Sequence, residues 1–445
     1  MVNLLQPNTL ELLICALIGT GIAAVLGIIP ALHIYNIAGM ILIFYDALSS
    51  YLTPERMAFL FIGMTTGYTM VNVIPSIFLS APDESTIFTV LPGQKYLLQQ
   101  RGFEAVVLSG IGSLGGLMLL LLLTPVASRV IPMLRNILRP HLGWILWTSI
   151  AYMLLSEWPK GTERASTGLG RWWEGWKSLL AGLGTFLLSG ILGFVLMYRL
   201  LVPPAVAYQN MMPAFVGLFA VPWVIQNLLA HTKFPPQHIA RSIDAPRITI
   251  LQGTLAGSLG GLFAAFFPVI TAGIGGFLAG HATAQRDDRA FLISQGAAKL
   301  VYYVGGLLFF FVPGLHITRG GMAWMISTHY RAYTPTQYYW AMAAALLSGV
   351  TAFLLSLWLA QGVITLVNRI GYRSISWGTL IILISIVTAT TGIGGVAICL
   401  VATGIGLLPV LWGSRRMNAM GVLLLPIALN IIGVGDTIAS FLGLL

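Results

Sequence analysis

The sequence has few charged residues and almost no cysteine. Only 8% of its 445 residues are Asp, Glu, Lys or Arg, whereas soluble domains carry roughly 25%. The two cysteines, Cys15 and Cys399, lie in apolar segments without metal-ligand spacing, so no disulfide framework and no cysteine-based metal site is expected. HExxH, GxSxG and P-loop motifs are missing too. These absences argue against an enzyme and against direct drive by ATP.

Long apolar runs make up most of the chain instead. Hydrophobic residues account for 57% of the sequence, and the mean hydropathy is +0.88. The runs lack the strict alternation of a membrane β-barrel. This composition predicts an all-α polytopic membrane protein with roughly ten to twelve membrane segments, some of them half-length. Basic residues in short loops commonly set membrane orientation, so the net charge of +10 does not indicate nucleic-acid binding.

The central feature is an uncharged stretch, residues 251–280, which contains eight glycines and one proline, Pro268. As one straight helix it would be about 45 Å long, against a hydrocarbon core of about 30 Å. Proline lacks a backbone N–H, and its ring clashes with the carbonyl four residues back. The stretch therefore predicts two half-helices, or a re-entrant hairpin, meeting near Pro268. A kinked helix with small residues for close packing is the alternative.

A second copy of this pattern lies near the N-terminus, in residues 19–39. Gly19 precedes Pro30 by eleven residues, and Gly257 precedes Pro268 by eleven residues. Paired broken segments of this kind indicate a transporter whose site lies between two internal, inverted repeats. The predicted organisation is a first repeat half (1–230), a polar connecting loop (231–249) and a second repeat half (250–445).

Polar residues near the two breaks are candidates for substrate contact. Half-helix N-termini present free N–H groups and about half a positive charge each, which suits an anion. Asn36 and Thr271 lie on these segments and would otherwise satisfy backbone at the break. His33 and His316 follow the prolines of two breaks, and we expect each to cap a helix although either could titrate near neutral pH.

Lys299 interrupts an apolar span, where a charge usually faces a cavity or a partner. It could bind a carboxylate, replace a coupling cation or pair with Asp436, which we place within a final apolar segment, residues 420–442. Near an interface, Lys299 would simply extend its amine to water. The stretch 80–106 is too polar to span lipid, and its Asp83 and Glu84 are further candidates.

The predictions of individual residues are as follows. The substrate-binding candidates are Pro30, Asn36, Pro82, Asp83, Pro268, Thr271, Lys299, Pro313 and Gly314. The ion-coupling candidates are Asn72, Glu84 and Asp436. We expect no metal centre and no cofactor apart from a coupling Na⁺ or H⁺.

Several of these segments, in this order, resemble a known family. They are GTGIAAVLGIIPALHIYN (19–36), the stretch 82–116, KSLLAGLGTFLLSGILG (177–193), PAFVGLFAVPWVIQNLL (213–229), PVITAGIGGF (268–277) and VPGL (312–315). The chain resembles the large membrane subunit of tripartite tricarboxylate transporters, the TctA family, and especially its archaeal-type branch.

The resemblance implies secondary transport of a small di- or tricarboxylate across a prokaryotic plasma membrane, driven by a sodium or proton gradient. It also implies a small membrane subunit and an extracytoplasmic binding protein as partners, and a homo-oligomer is compatible with it. The chain departs from the family at three places. Pro30-Ala31-Leu32-His33-Ile34 replaces Pro-Gly-x-Gly-Pro, Pro268-Val269-Ile270-Thr271 replaces Pro-Gly-x-Gly, and Lys299-Leu300 replaces an Asn-Asn-like pair. A different substrate is therefore compatible with the same fold.

Two other functions fit parts of the sequence. A translocase for a lipid-linked anionic carrier would expose its polar breaks to lipid and would use basic loops for phosphate groups. A non-transporting membrane subunit of a larger complex is the second alternative. The paired breaks and Lys299 argue against a pure scaffold, which has no need for buried polar groups.

Overall fold

The computed structural model describes residues 9–30, 32–157, 163, 167–230, 235–267, 270–285, 287–332 and 334–445. Within these ranges every regular element is a helix, which confirms the all-α class. The first ten α-helices are α1 (Thr9–Leu26), α2 (Ile34–Ile43), α3 (Tyr45–Leu48), α4 (Pro54–Val71), α5 (Val73–Phe78), α6 (Val90–Leu98), α7 (Gly102–Leu138), α8 (Leu142–Leu155), α9 (Gly168–Tyr198) and α10 (Met212–Phe215).

Of the remaining helices, α11 precedes the polar loop and the others follow it. They are α11 (Val221–Ala230), α12 (Arg247–Phe266), α13 (Ala272–Ala282), α14 (Asp288–Leu300), α15 (Gly306–Phe311), α16 (Gly320–Ser327), α17 (Pro335–Ile370), α18 (Tyr372–Trp412), α19 (Gly421–Ile431) and α20 (Gly435–Phe441). Two π-helical segments, Val216–Ala220 and Val301–Gly305, interrupt longer helices.

Nine helical stretches in the described part of the chain are long and apolar enough to cross a membrane. The count rises to ten if the bent pair formed by α19 and α20 is one span. The short apolar α2 is one of the half-length segments that the sequence predicts. The protein is therefore a multi-pass membrane protein.

The chain divides into two compact units that are interleaved in sequence. The first unit comprises Met1–Asn136, Thr232–Phe266 and Thr271–Ile375. The second unit comprises Ile137–His231, Phe267–Ile270 and Ser376–Leu445. Compactness does not measure repeat symmetry, so the two repeat halves at 1–230 and 250–445 stay a prediction.

Both predicted breaks are present, and the helices on either side of each break belong to the first unit. Helix α1 ends at Leu26 and α2 begins at Ile34, whereas α12 ends at Phe266 and α13 begins at Ala272. Each break thus leads into a half-helix of 10 or 11 residues. The alternative of one kinked helix over residues 251–280 is wrong, because α12 and α13 are separate helices. Pro268 itself lies outside the described residues.

The two broken elements have the same local surroundings. Helix α1 packs along α4, and α12 packs along α14. A Cβ atom at Gly19 would lie 2.0 Å from the carbonyl oxygen of Leu60, and one at Gly257 would lie 2.1 Å from that of Ser294. The two glycines that stand eleven residues before the prolines therefore both mark a close crossing of helix backbones. Such approaches are typical of membrane helices with small interfacial residues.

One segment of the second unit differs from the sequence prediction. Residues 420–442 do not form one apolar span, because Gly433 adopts φ +79° and the chain bends by 116° between α19 and α20. Asp436 consequently lies in the first turn of a short helix and is exposed. A negative charge is favourable at that position, next to the positive end of the helix dipole.

The close approach of α1 and α4 at Gly19 can be tested by a stability measurement, with a control substitution on the same helix. Gly19→Ala should lower the apparent melting temperature of the detergent-purified protein by a few degrees, because overpacking typically costs about 1–3 kcal/mol. Gly21→Ala is the control, since a Cβ atom there meets nothing within 4 Å. Alanine is the better helix former by about 1 kcal/mol, so Gly21→Ala should leave that temperature unchanged or raise it. An equal loss in both variants would contradict the close crossing.

Candidate substrate and ion site

Asp83 is held by hydrogen bonds to both of its carboxylate oxygens. Oδ1 accepts from the backbone N–H groups of Ser85 and Thr86 at 2.9 Å and from their hydroxyls at 2.6 and 2.9 Å. Oδ2 accepts from the Tyr68 hydroxyl at 2.7 Å and from the Asn72 amide at 2.8 Å. Aspartate readily accepts bonds from backbone two residues on, so the local sequence favours this turn. The carboxylate is fixed, with its lone pairs already engaged.

Lys299 lies in the last turn of α14 with only 2% of its surface exposed. Its ammonium donates to the Oδ1 atom of Asn72 at 2.6 Å. The Asn72 amide in turn donates to Asp83, so one side chain links the buried cation to the half-buried anion. A buried ammonium needs such compensation because leaving water is expensive for an ion. Lys299 therefore does not extend to the surface.

Glu84 lies beside a histidine and a tyrosine. The Tyr303 hydroxyl donates to its Oε1 atom at 3.0 Å. The Nε2 atom of His33 lies 3.3 Å from the same oxygen and 3.0 Å from the Tyr303 hydroxyl. His33 is the N-cap of α2, and its Nδ1 atom accepts from the Tyr35 backbone N–H at 3.2 Å. This confirms the predicted cap, and it assigns the proton of the neutral ring to Nε2.

The position of Tyr303 has a local cause. It lies in the π-helical segment Val301–Gly305, which directly follows α14. The wider turn of a π-helix changes the direction in which side chains leave the helix, and such turns are frequent at functional sites. Lys299 and Tyr303 thus come from one continuous element and reach Asn72 and Glu84 respectively.

The start of α13 lies against the same loop. Thr271 occupies its N-cap position, but its side chain does not cap the helix. The hydroxyl instead donates to the carbonyl oxygen of Glu84 at 3.4 Å. Glu84 thus contacts the residue at the start of α2 through its side chain and the residue at the start of α13 through its main chain. Both half-helix N-termini therefore contact one segment, residues 83–86, which we call the acidic loop.

A further cation lies at the second break. Arg319 is half-buried, and its Nε atom donates to the carbonyl oxygen of Ala265 at 2.9 Å. Ala265 is in the last turn of α12, where carbonyl groups have no partner within the helix. Arg319 therefore stabilises the end of the long helix that precedes the break.

The other candidates are distributed as follows. Asn36 is buried on α2, and its Nδ2 atom has no hydrogen-bond partner among the described residues. Pro30 lies within the first break, and Pro82 directly precedes Asp83. The turn after α15 holds Pro313 and the exposed Gly314, which adopts φ +76°. The predicted coupling residue Asp436 belongs to the second unit, where it accepts from the Tyr198 hydroxyl at 2.7 Å.

Three of these residues could in principle hold a metal ion. Atoms of His33, Asp83 and Glu84 lie within 4.8 Å of one another. However, the oxygens of Asp83 already accept six hydrogen bonds, and Nε2 of neutral His33 carries the proton. A metal ligand needs a free lone pair. A metal ion at this position would therefore have to displace existing hydrogen bonds.

Sequence reasoning missed Tyr68 and Tyr303. Both tyrosines donate to the acidic loop, but Tyr303 is 219 residues from its partner Glu84. No spacing rule connects such distant positions. The Asp-x-Ser-Thr pattern at Asp83 was a usable signal, since it favours a turn that closes on the carboxylate.

Comparison with known proteins agrees with this picture. A family model described as the tripartite tricarboxylate transporter TctA family matches residues 13–421. An uncharacterized protein of Methanocaldococcus jannaschii is 25% identical over 434 residues, which cover 94% of this chain and 98% of that protein. No solved structure matches the chain. The chain belongs to the tripartite tricarboxylate transporter TctA family.

Proposed function

We propose that the protein is a secondary transporter that moves a small di- or tricarboxylate across the prokaryotic plasma membrane. The substrate lies near the membrane midplane, between the starts of α2 and α13. The observation that carries this proposal is the convergence of both half-helix N-termini on Glu84. Broken helices that meet in this way are the usual means by which transporters bind ions and small anions.

The surroundings of these helix ends suit an anion. The first N–H groups of α13 receive no cap from Thr271, so they remain available as donors. Asn36 on α2 offers an amide hydrogen that has no partner among the described residues. Lys299 supplies a full positive charge that is already desolvated. Fixed dipoles and one buried cation together offset the charge of a carboxylate.

The charged side chains of the candidate site also indicate how transport is coupled to an ion gradient. The two negative charges of Asp83 and Glu84 already offset the positive charges of Lys299 and Arg319, so an incoming dianion requires an additional positive charge. We propose that this charge is a proton on the His33–Glu84 pair. Asp83, Tyr35, Tyr68 and Tyr303 also face the His33 ring. Among these groups, His33 titrates closest to neutral pH in its unperturbed state.

The burial of the candidate site argues against the two alternative functions. A lipid-linked carrier would need lateral access, yet Lys299 is 2% exposed and Thr271 is 3% exposed. A purely structural subunit would gain nothing from an ammonium held in a buried site. As a member of a tripartite family, the chain is proposed to act with a small membrane subunit and an extracytoplasmic binding protein.

The first test is uptake of labelled citrate and succinate into proteoliposomes. Lys299→Gln should lower uptake by about 10- to 100-fold, because a hydrogen bond to a charged group contributes about 1.5–3 kcal/mol. The control is Lys177→Gln, whose lysine pairs with Glu174 in the second unit. Unchanged uptake in Lys299→Gln would contradict a role for the ammonium. No uptake by folded wild-type protein, with or without the partner subunits, would contradict the transport function.

The second test concerns the coupling ion. A pH gradient, inside alkaline, should drive accumulation of substrate, whereas a sodium gradient at equal pH should not. His33→Gln keeps a hydrogen-bonding side chain that does not titrate, so it should lose accumulation but retain exchange of internal for external substrate. His238→Gln, at an exposed position, is the matched control. Accumulation that follows the sodium gradient alone would contradict proton coupling.

A further inference from the structure

A second buried polar group faces α13 from α14. Gln295 is 2% exposed and lies four residues before Lys299, on the same face of the helix. Neither its Nε2 atom nor its Oε1 atom has a hydrogen-bond partner among the described residues. Buried polar side chains nearly always have partners, so an amide with both ends unpaired requires an explanation.

The amide lies directly over a glycine of α13. A Cβ atom at Gly276 would be 2.7 Å from Nε2 and 2.9 Å from Oε1 of Gln295. A larger residue at this position would therefore displace the carboxamide from its place over α13. Gly276 is four residues after the first residue of α13, which places the amide about one turn from the uncapped N–H groups.

The acidic loop covers another side of the same helix. A Cβ atom at Gly273 would lie 2.9 Å from the carbonyl oxygen of Glu84. The Phe88 ring stacks on Phe277 with centroids 5.1 Å apart. The start of α13 is thus enclosed by apolar and backbone groups. Gln295 brings an unpaired donor and an unpaired acceptor from α14 to this helix.

We propose that Gln295 determines substrate specificity by binding a 2-hydroxy-carboxylate group. This inference rests on the proposed transport function. A carboxylate offers acceptors only, so alone it pairs with Nε2 and leaves Oε1 unpaired. A hydroxyl beside the carboxylate supplies a donor for Oε1, and both ends of the amide are then satisfied. A site built to bond a substrate hydroxyl discriminates strongly against the analogue that lacks it.

The test compares two pairs of acids that differ only in a hydroxyl group: malate with succinate, and citrate with tricarballylate. Each unlabelled acid competes against uptake of labelled citrate by the full chain in proteoliposomes. In wild type, the hydroxylated acid should compete at least tenfold better within each pair. Gln295→Met keeps the length of the side chain and removes both polar groups. In this variant, the hydroxylated acid should compete no more than twofold better than its analogue without the hydroxyl. Succinate should compete as it does in wild type.

Two further variants separate specificity from folding. Gly276→Ala retains the amide but displaces it, so it should also lower the preference for the hydroxyl. Gln252→Leu, at an exposed position of α12, is the control and should keep the wild-type ratio. A wild-type ratio near one, or a preference that survives in Gln295→Met, would overturn the proposal.

A binding measurement distinguishes failure of this inference from failure of the transport function. The four acids are compared by the shift that each produces in the unfolding temperature of purified protein. A larger shift with malate than with succinate, in the absence of any uptake, would support the role of Gln295 and reject transport. Uptake without a hydroxyl preference would reject the role of Gln295 alone. If none of the four acids shifts the unfolding temperature, both are rejected.

Discussion

The site of this protein depends on the need to keep a lysine charged where water does not reach it. Lys299 is 2% exposed, and its ammonium bonds to one amide oxygen, that of Asn72. An uncompensated ion would be expelled or neutralised in such surroundings. The negative charge that balances it is Asp83, one amide away. The acidic loop must therefore stay closed around Asp83, and its turn determines where Glu84 can lie.

That position of Glu84 links the two breaks. Its side chain reaches the cap of α2, and its carbonyl oxygen receives the hydroxyl of Thr271 at the start of α13. A change at either half-helix is therefore transmitted to the other through one residue. The starts of α2 and α13 are thus linked by direct contacts of Glu84 and not through a chain of intervening residues. Binding of an anion at one helix end and of a proton at His33 would act on the same carboxylate, as linkage between two ligands requires.

The sequence was sufficient to predict the membrane class, both breaks and several members of the cluster. Three local features made this possible: the positions of the prolines, the length of the apolar runs and one lysine within an apolar span. Broken backbone and charged side chains are energetically costly in a bilayer, so each is informative where it occurs. Asp436 shows the limit of this reasoning. Its neighbours are apolar, but the turn at Gly433 makes it the first-turn residue of a short exposed helix. Partners such as Tyr303 depend on tertiary packing, which no local pattern encodes.

The departures from the family pattern have a physical interpretation in this structure. The breaks lack the extra glycines, yet a half-helix still begins after each of them. The start of α2 is capped by His33, so its N–H groups are partly used, whereas α13 has no side-chain cap. The two helix ends are thus unequal as anion sites. In the transport function that we propose, this asymmetry favours α13, where Gln295 is also unpaired, as the carboxylate site and α2 with its histidine as the proton site.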